Sequence, residues 1–183
     1  MYRLKKLNIM KKITFLLIAL LAFSFGYGQT TLFEGDIAIT GVNTQNPDQF
    51  SFVLLTDVAS GTTINFTDHG WLSSGSFNTS INEGVVTWTA SAAVSCGTEI
   101  IITEIATNTY SSLDFSATTV GSAAETDAGF AFSAGGDEVI AYQGTLASPT
   151  FLYAAHVANN NGWTDATNSQ NSAIPSGLTD GVN

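Results

Sequence analysis

Beyond residue 12 this chain contains no lysine and no arginine. Its five basic residues are Arg3, Lys5, Lys6, Lys11 and Lys12, and all 15 acidic residues lie past residue 28. No Lys–Asp or Arg–Glu ion pair can therefore form in the body of the protein. Binding to a nucleic-acid backbone is excluded, because that affinity comes from lysine and arginine neutralising phosphates. Attraction to anionic membranes is disfavoured for the same reason, and a phosphate-cradling loop would lack its lysine. The unopposed negative charge repels itself, and salt or divalent cations relieve that repulsion.

Cysteine is nearly absent too. Cys96 is the only one, so no disulfide can form within the chain. An exported domain without a disulfide must be held by its core. Nothing in the sequence places a base beside Cys96, which is expected as a small, semi-buried residue next to a turn. Past the first 28 residues no segment spaces apolar residues as a helix does over three turns. There is no His-Glu-x-x-His, no Gly-x-Ser-x-Gly elbow and no EF-hand loop. A glycosidase needs only two placed carboxylates, but here the usual basic stabilisers would be missing. The chain is read as noncatalytic.

What is present begins with an export signal. A basic stretch to Lys12 is followed by the apolar run Ile13–Phe23 and small residues at Gly26 and Gly28. This is the pattern of a secretory signal peptide over residues 1–28, with Met10 as an alternative start. The apolar run is too short for a membrane span, which takes roughly 20 residues. Cleavage after Gly28 leaves residues 29–183 as a single domain. Its ending, Leu178–Asn183, lacks a capping element and suggests a chain truncated at its C-terminus.

The mature region reads as strands separated by turn residues. Gln29–Phe33 is expected as a loose lead-in. Strands are predicted at Asp36–Asn43, Phe50–Leu55, Thr62–Asp68, Val85–Thr89, Glu99–Ile105, Gly129–Phe132, Asp137–Tyr142 and Phe151–Val157. Leu72–Asn82 reads as an exposed loop. Residues 107–128 read as a long loop with one short edge strand near Tyr110–Phe115, and the polar remainder after Trp163 has no predicted strand. Eight or nine short strands with regular turns predict an all-β fold, an antiparallel, immunoglobulin-like β-sandwich.

The most patterned stretch is Phe50–Trp71, two strand-like runs ending in Asp68-His69-Gly70-Trp71. Ile39–Asn43, Asp48–Val53, Gly61–Asp68, Gly70-Trp71 and Gly97–Ile101 follow one another in an order that resembles lamin-tail-like modules of exported bacterial proteins. A second likeness, over residues 35–183, is to an uncharacterised module at the N-terminus of long surface proteins of gliding-type bacteria. It is carried by Gly35–Ile39, Phe66–Trp71, Thr87–Ala90, Tyr142–Gly144 and Asn161–Trp163. These resemblances imply an immunoglobulin-like sandwich serving as a surface module, with no defined activity.

Candidate ligating residues come from the carboxylates. Glu34 and Asp36 are two apart, so an extended chain points both the same way. Asp68 sits at the Gly-Trp corner, and these three are the predicted calcium ligands. Glu125 with Asp127, and Asp137 with Glu138 after a Gly-Gly turn, are further acidic pairs. Calcium suits such a chain, since it takes six to eight oxygens and loops supply them well. His69 and His156 are too far apart in sequence to predict a shared metal. Among the aromatics, Trp88 belongs in the core, while Trp71 and Trp163 are the candidates for stacking on a sugar ring.

The sequence thus predicts a noncatalytic, exported surface or adhesion module. The partner is a surface glycan or protein, with no nucleic acid and no stable membrane span once the signal is removed. The alternatives are a carbohydrate-binding module with structural calcium, and the N-terminal accessory domain of a larger secreted hydrolase.

Overall fold

A computed structural model describes residues 28–157 and 162–183, together with Lys12 and Thr14. The predicted export signal falls almost wholly outside the described residues, as do Asn159–Asn161 of the loop before Trp163. Among the described residues no helix is long and apolar enough to cross a membrane.

The fold is all-β. The described residues form eleven strands: β1 Ile37–Asn43, β2 Gln49–Leu54, β3 Thr63–Thr67, β4 Trp71–Leu72, β5 Ser76–Phe77, β6 Val85–Thr89, β7 Glu99–Ala106, β8 Thr109–Leu113, β9 Ser122–Asp127, β10 Asp137–Thr145 and β11 Ser148–Val157. Nine of them make one antiparallel sheet in the order β1-β2-β7-β8-β9-β6-β3-β10-β11, and β4 and β5 form a separate hairpin. The sheet folds over at the β8–β9 seam, where a single residue pair, Thr109 with Ala124, joins the two halves. The result is a sandwich of β1-β2-β7-β8 against β9-β6-β3-β10-β11. The A-B-E and C-F-G neighbours of an immunoglobulin-like sandwich have their counterparts in β1-β2-β7 and β3-β10-β11. The order departs from that fold at β8, which follows β7 in the chain rather than preceding it.

Period-two alternation sets the inner faces. In β2, Phe50, Phe52 and Leu54 are buried while Gln49, Ser51 and Val53 are only partly so. In β3, Ile64 and Phe66 face inward. The rings meet across the layers: Phe66 lies 4.7 Å from both Phe50 and Phe52, and Phe52 lies 5.5 Å from Trp88. Each such ring contributes roughly 2–3 kcal/mol by leaving water. Trp88 Nε1 donates to Val120 O at 2.9 Å and to Ser112 Oγ at 3.0 Å, which satisfies its one polar atom.

β10 is buried on both faces from Asp137 to Gln143. Val139 and Ala141 join the inter-layer core, whereas Ile140 and Tyr142 face a second cluster with Trp71, Phe77, Phe151 and Leu178. The β4–β5 hairpin and the C-terminal segment form that second cluster.

Several expectations are corrected. Gln29–Phe33 is not loose. Leu32 is fully buried and its N–H donates to Gln143 Oε1 at 2.9 Å, while Gly35 N–H reaches Leu152 O at 3.0 Å. Leu72–Asn82 is not simply an exposed loop, because Phe77 packs edge-on against Trp71 at 5.1 Å and pulls a hairpin together. Residues 107–128 hold two strands, and β9 forms with no large apolar residue by pairing with β6. Gly129–Phe132 is not a strand although Phe130 and Phe132 are core residues. Its amide groups bond to carboxylates instead of a sheet neighbour. Cys96 is exposed, and its N–H is held by Asp57 at 2.8 Å.

Candidate metal centre

Because no lysine or arginine follows Lys12, the buried and half-buried carboxylates must find other partners, and most find main-chain N–H groups. Glu125 Oε1 accepts from Gly129 at 2.8 Å and from Phe130 at 3.2 Å. Asp68 Oδ2 accepts from Ala131 at 2.8 Å, Asp48 Oδ2 from Phe132 at 2.7 Å and Asp137 Oδ2 from Ser133 at 2.6 Å. Five consecutive amides are thus held by four carboxylates. This ribbon of bonds satisfies a buried irregular segment that would otherwise carry unpaired donors.

The same bonds assemble a corner. Asp68, just past β3, uses its other oxygen, Oδ1, to accept Gly84 N–H at 2.7 Å. Thr67 Oγ1 donates to Gly84 O at 2.6 Å, so the residue before β6 is gripped on both polar atoms. A side chain at position 84 would collide with the main chain at Asp127, Gly129 and Phe130, so glycine is required there. These grips deliver the neighbouring Glu83 to the start of β10, where Asp137 and Glu138 follow the Gly135-Gly136 turn.

One carboxylate oxygen from each of Glu83, Asp137 and Glu138 lies within 4.8 Å of the other two. The three residues are 7%, 1% and 0% exposed. Asp137 holds amides with both oxygens, its Oδ1 accepting Glu138 N–H at 2.9 Å. Glu138 is different: neither oxygen accepts a hydrogen bond, and Glu83 Oε2 accepts none either. Burial pushes the carboxyl groups far above their ordinary range. Glu138 rises to about 9, helped by Asp137, Glu83 and Asp68, and Glu83 rises to about 9, helped by Asp68 and Asp137. Asp137 rises to about 8 and Asp68 to about 7, burial outweighing the amide bonds that oppose it in both. The cluster can hold a metal ion, or it can hold protons.

Glu34 is exposed on the lead-in, and Asp36 accepts Phe33 N–H at 2.8 Å. Asp68 spends both oxygens on amides, and none of these three belongs to the three-carboxylate group. The ring of His69 is 2% exposed and accepts or donates no hydrogen bond; its Nε2 stands 3.5 Å from Asp127 Oδ2. That separation counts as an ion-pair distance but is too long for a good hydrogen bond. His156 Nε2 lies 3.2 Å from Gln170 O, and its ring is 5.4 Å from Trp163.

Trp71 is only 6% exposed, with its ring edge-on to Phe151 at 4.8 Å. It still reaches the wall of an open groove lined also by Phe33, Glu34, Thr150, Phe151 and Ser176. Trp163 is half-buried, and its Nε1 donates to Asp180 Oδ1 at 3.2 Å.

Sequence reasoning identified Asp137 and Glu138 as a pair but missed Glu83, which stands in a polar loop with no pattern around it. The only available signal was Glu83-Gly84 directly before a strand. Comparison with protein-family models, curated proteins and solved structures gave no match.

Proposed function

We propose that this chain is an exported, noncatalytic β-sandwich module of a bacterial cell surface, lamin-tail-like in kind, that binds a surface ligand and uses calcium as a structural cofactor. The observation that carries the reading is the groove beside Trp71. Phe33 is 65% exposed on its rim, next to the exposed carboxylate of Glu34. An exposed ring, a carboxylate acceptor and the hydroxyls of Thr150 and Ser176 suit the apolar face and hydroxyl groups of a neutral sugar. The negative charge of the chain argues against acidic polysaccharides. Carbohydrate binding is accordingly the favoured form of the adhesion reading. Trp163, tied to Asp180, is a weaker stacking platform than Phe33.

The test is a glycan array with the folded, exported protein, followed by titration of any hit. Phe33→Ala should weaken binding of a neutral glycan at least tenfold and leave the melting temperature within about 2 °C, since an exposed side chain contributes little to stability. Absence of any hit on a folded sample, or full affinity in that variant, sinks the sugar reading.

A further inference from the structure

We infer that Glu83, Asp137 and Glu138 form a buried site for one hard divalent cation, calcium foremost, which fastens the loop before β6 to the start of β10. This rests on the cofactor part of the proposed function and is independent of the glycan part.

Three observations carry it. The first is spacing. Two oxygens on opposite sides of a calcium ion, each at roughly 2.4 Å, are about 4.8 Å apart. One oxygen from each of the three residues falls within 4.8 Å of the other two. Three oxygens this close can converge on a single ion after small side-chain adjustments.

The second is Glu138. It is fully buried, its carboxylate takes part in the cluster, and neither oxygen accepts a hydrogen bond. Glu83 brings a further unpartnered oxygen. Ionised carboxylates buried without a partner are costly. The common remedy, a lysine or arginine, does not occur beyond residue 12. The two histidines are turned elsewhere, towards Asp127 and towards Gln170 O. Protons neutralise the charge but leave oxygens unpartnered, whereas a metal cation neutralises charge and fills empty lone pairs together.

The third is the absence of a side chain at Gly70. A Cβ there would stand 2.8 Å from Glu138 Oε1 and would also collide with Asn171 O. Ala166 Cβ lies as close, at 2.7 Å, so glycine is what lets the main chain, with the Asn171 carbonyl oxygen beside it, approach the Glu138 carboxylate. The three grouped side chains are all carboxylates, which suits calcium, magnesium or manganese better than zinc or copper. Calcium tolerates the irregular geometry that three carboxylates from two segments impose, whereas magnesium demands a near-ideal octahedron.

The experiment uses the exported protein stripped with EDTA and titrated with calcium, magnesium and manganese chloride in turn. Native mass spectrometry should show one calcium per chain. At free calcium 100-fold above its dissociation constant, the melting temperature should rise by about 5–10 °C. Glu138→Gln keeps the shape of the side chain and should abolish both the bound ion and the rise. Should that variant fail to fold, Glu83→Gln replaces it and should weaken calcium at least tenfold. Glu34→Gln should bind calcium as the parent does. No retained ion and no rise with any of the three salts overturns the site, as does parental calcium affinity in Glu138→Gln or Glu83→Gln. A response to magnesium alone overturns calcium as the ion. None of these readouts involves a glycan, so failure here and failure of the sugar reading are separately visible.

Discussion

Asp68 and Glu138 sit in one buried corner, almost equally shielded from water, yet their oxygens are used in opposite ways. Asp68 gives one oxygen to Gly84 N–H and the other to Ala131 N–H. Glu138 gives neither oxygen to anything. With Glu125, Asp48 and Asp137, Asp68 belongs to a set of acids that replace a strand neighbour for residues 129–133. Glu138 and Glu83 belong to a set for which the protein itself provides no donor. With no lysine or arginine beyond residue 12, a buried carboxylate has few partners to choose from. Main-chain amides account for the first set, and a ligand from outside is the natural partner of the second.

That contrast breaks most sharply at Asp68. Asp68→Ala strands the buried Gly84 amide and the half-buried Ala131 amide, and each unpaired group costs about 1–3 kcal/mol. The variant should lose about 3–5 kcal/mol in urea unfolding. A loss under 1 kcal/mol would mean that the amide ribbon holds nothing together.

Next in size is the dependence of the metal-free protein on pH. Folded Glu83 and Glu138 keep their protons up to about 9, Asp137 to about 8 and Asp68 to about 7, against ordinary values of 4.5 for Glu and 3.8 for Asp. Between those limits the folded state binds more protons than the unfolded one, so these groups stabilise the fold fully at about pH 4 and lose that contribution as pH rises through 7 to 9. Calorimetry in EDTA should show the melting temperature falling steadily from pH 6 to pH 9. A rise over that window would contradict the burial of the cluster.

Glu138→Gln sharpens the same point with a smaller effect. In EDTA at pH 9 the amide removes a buried charge, so the variant should melt above the parent by a few degrees, while at pH 5 the two should agree within about 2 °C. A variant less stable than the parent at pH 9 would show that Glu138 has a stabilising partner. The smallest effect belongs to Glu34→Gln. This exposed residue should change stability by less than about 0.5 kcal/mol, and a larger loss in urea unfolding would place Glu34 in the structural set.

The long strands were legible from residues alone. Phe50-Ser51-Phe52 and Ile64-Asn65-Phe66 alternate because one face of each meets the other layer. β9, Ser122–Asp127, carries no such signal, since its side chains are exposed or half-exposed and it is held by its pairing with β6. Phe130 and Phe132 alternate like a strand and are buried like one, yet their amides bond to the side chains of Glu125 and Asp48 and not to a neighbouring strand. Side-chain pattern reports which face is buried, but it does not report where the backbone hydrogen bonds go. The candidate site was half legible for a related reason. Asp137 and Glu138 are adjacent and follow a marked turn, whereas Glu83 joins them across more than fifty residues through the grip of Thr67 and Asp68 on Gly84.

By itself, the sequence determined the all-β class, the inward faces of the core strands and the absence of lysine or arginine beside its acids. Those follow from local periodicity and from composition, which need no knowledge of neighbours in space. Only the tertiary structure decided which acids hold amides and which stand unpartnered. A carboxylate at Asp68 and one at Glu138 are chemically alike, and their difference arises solely from which distant N–H groups the folded chain brings within reach.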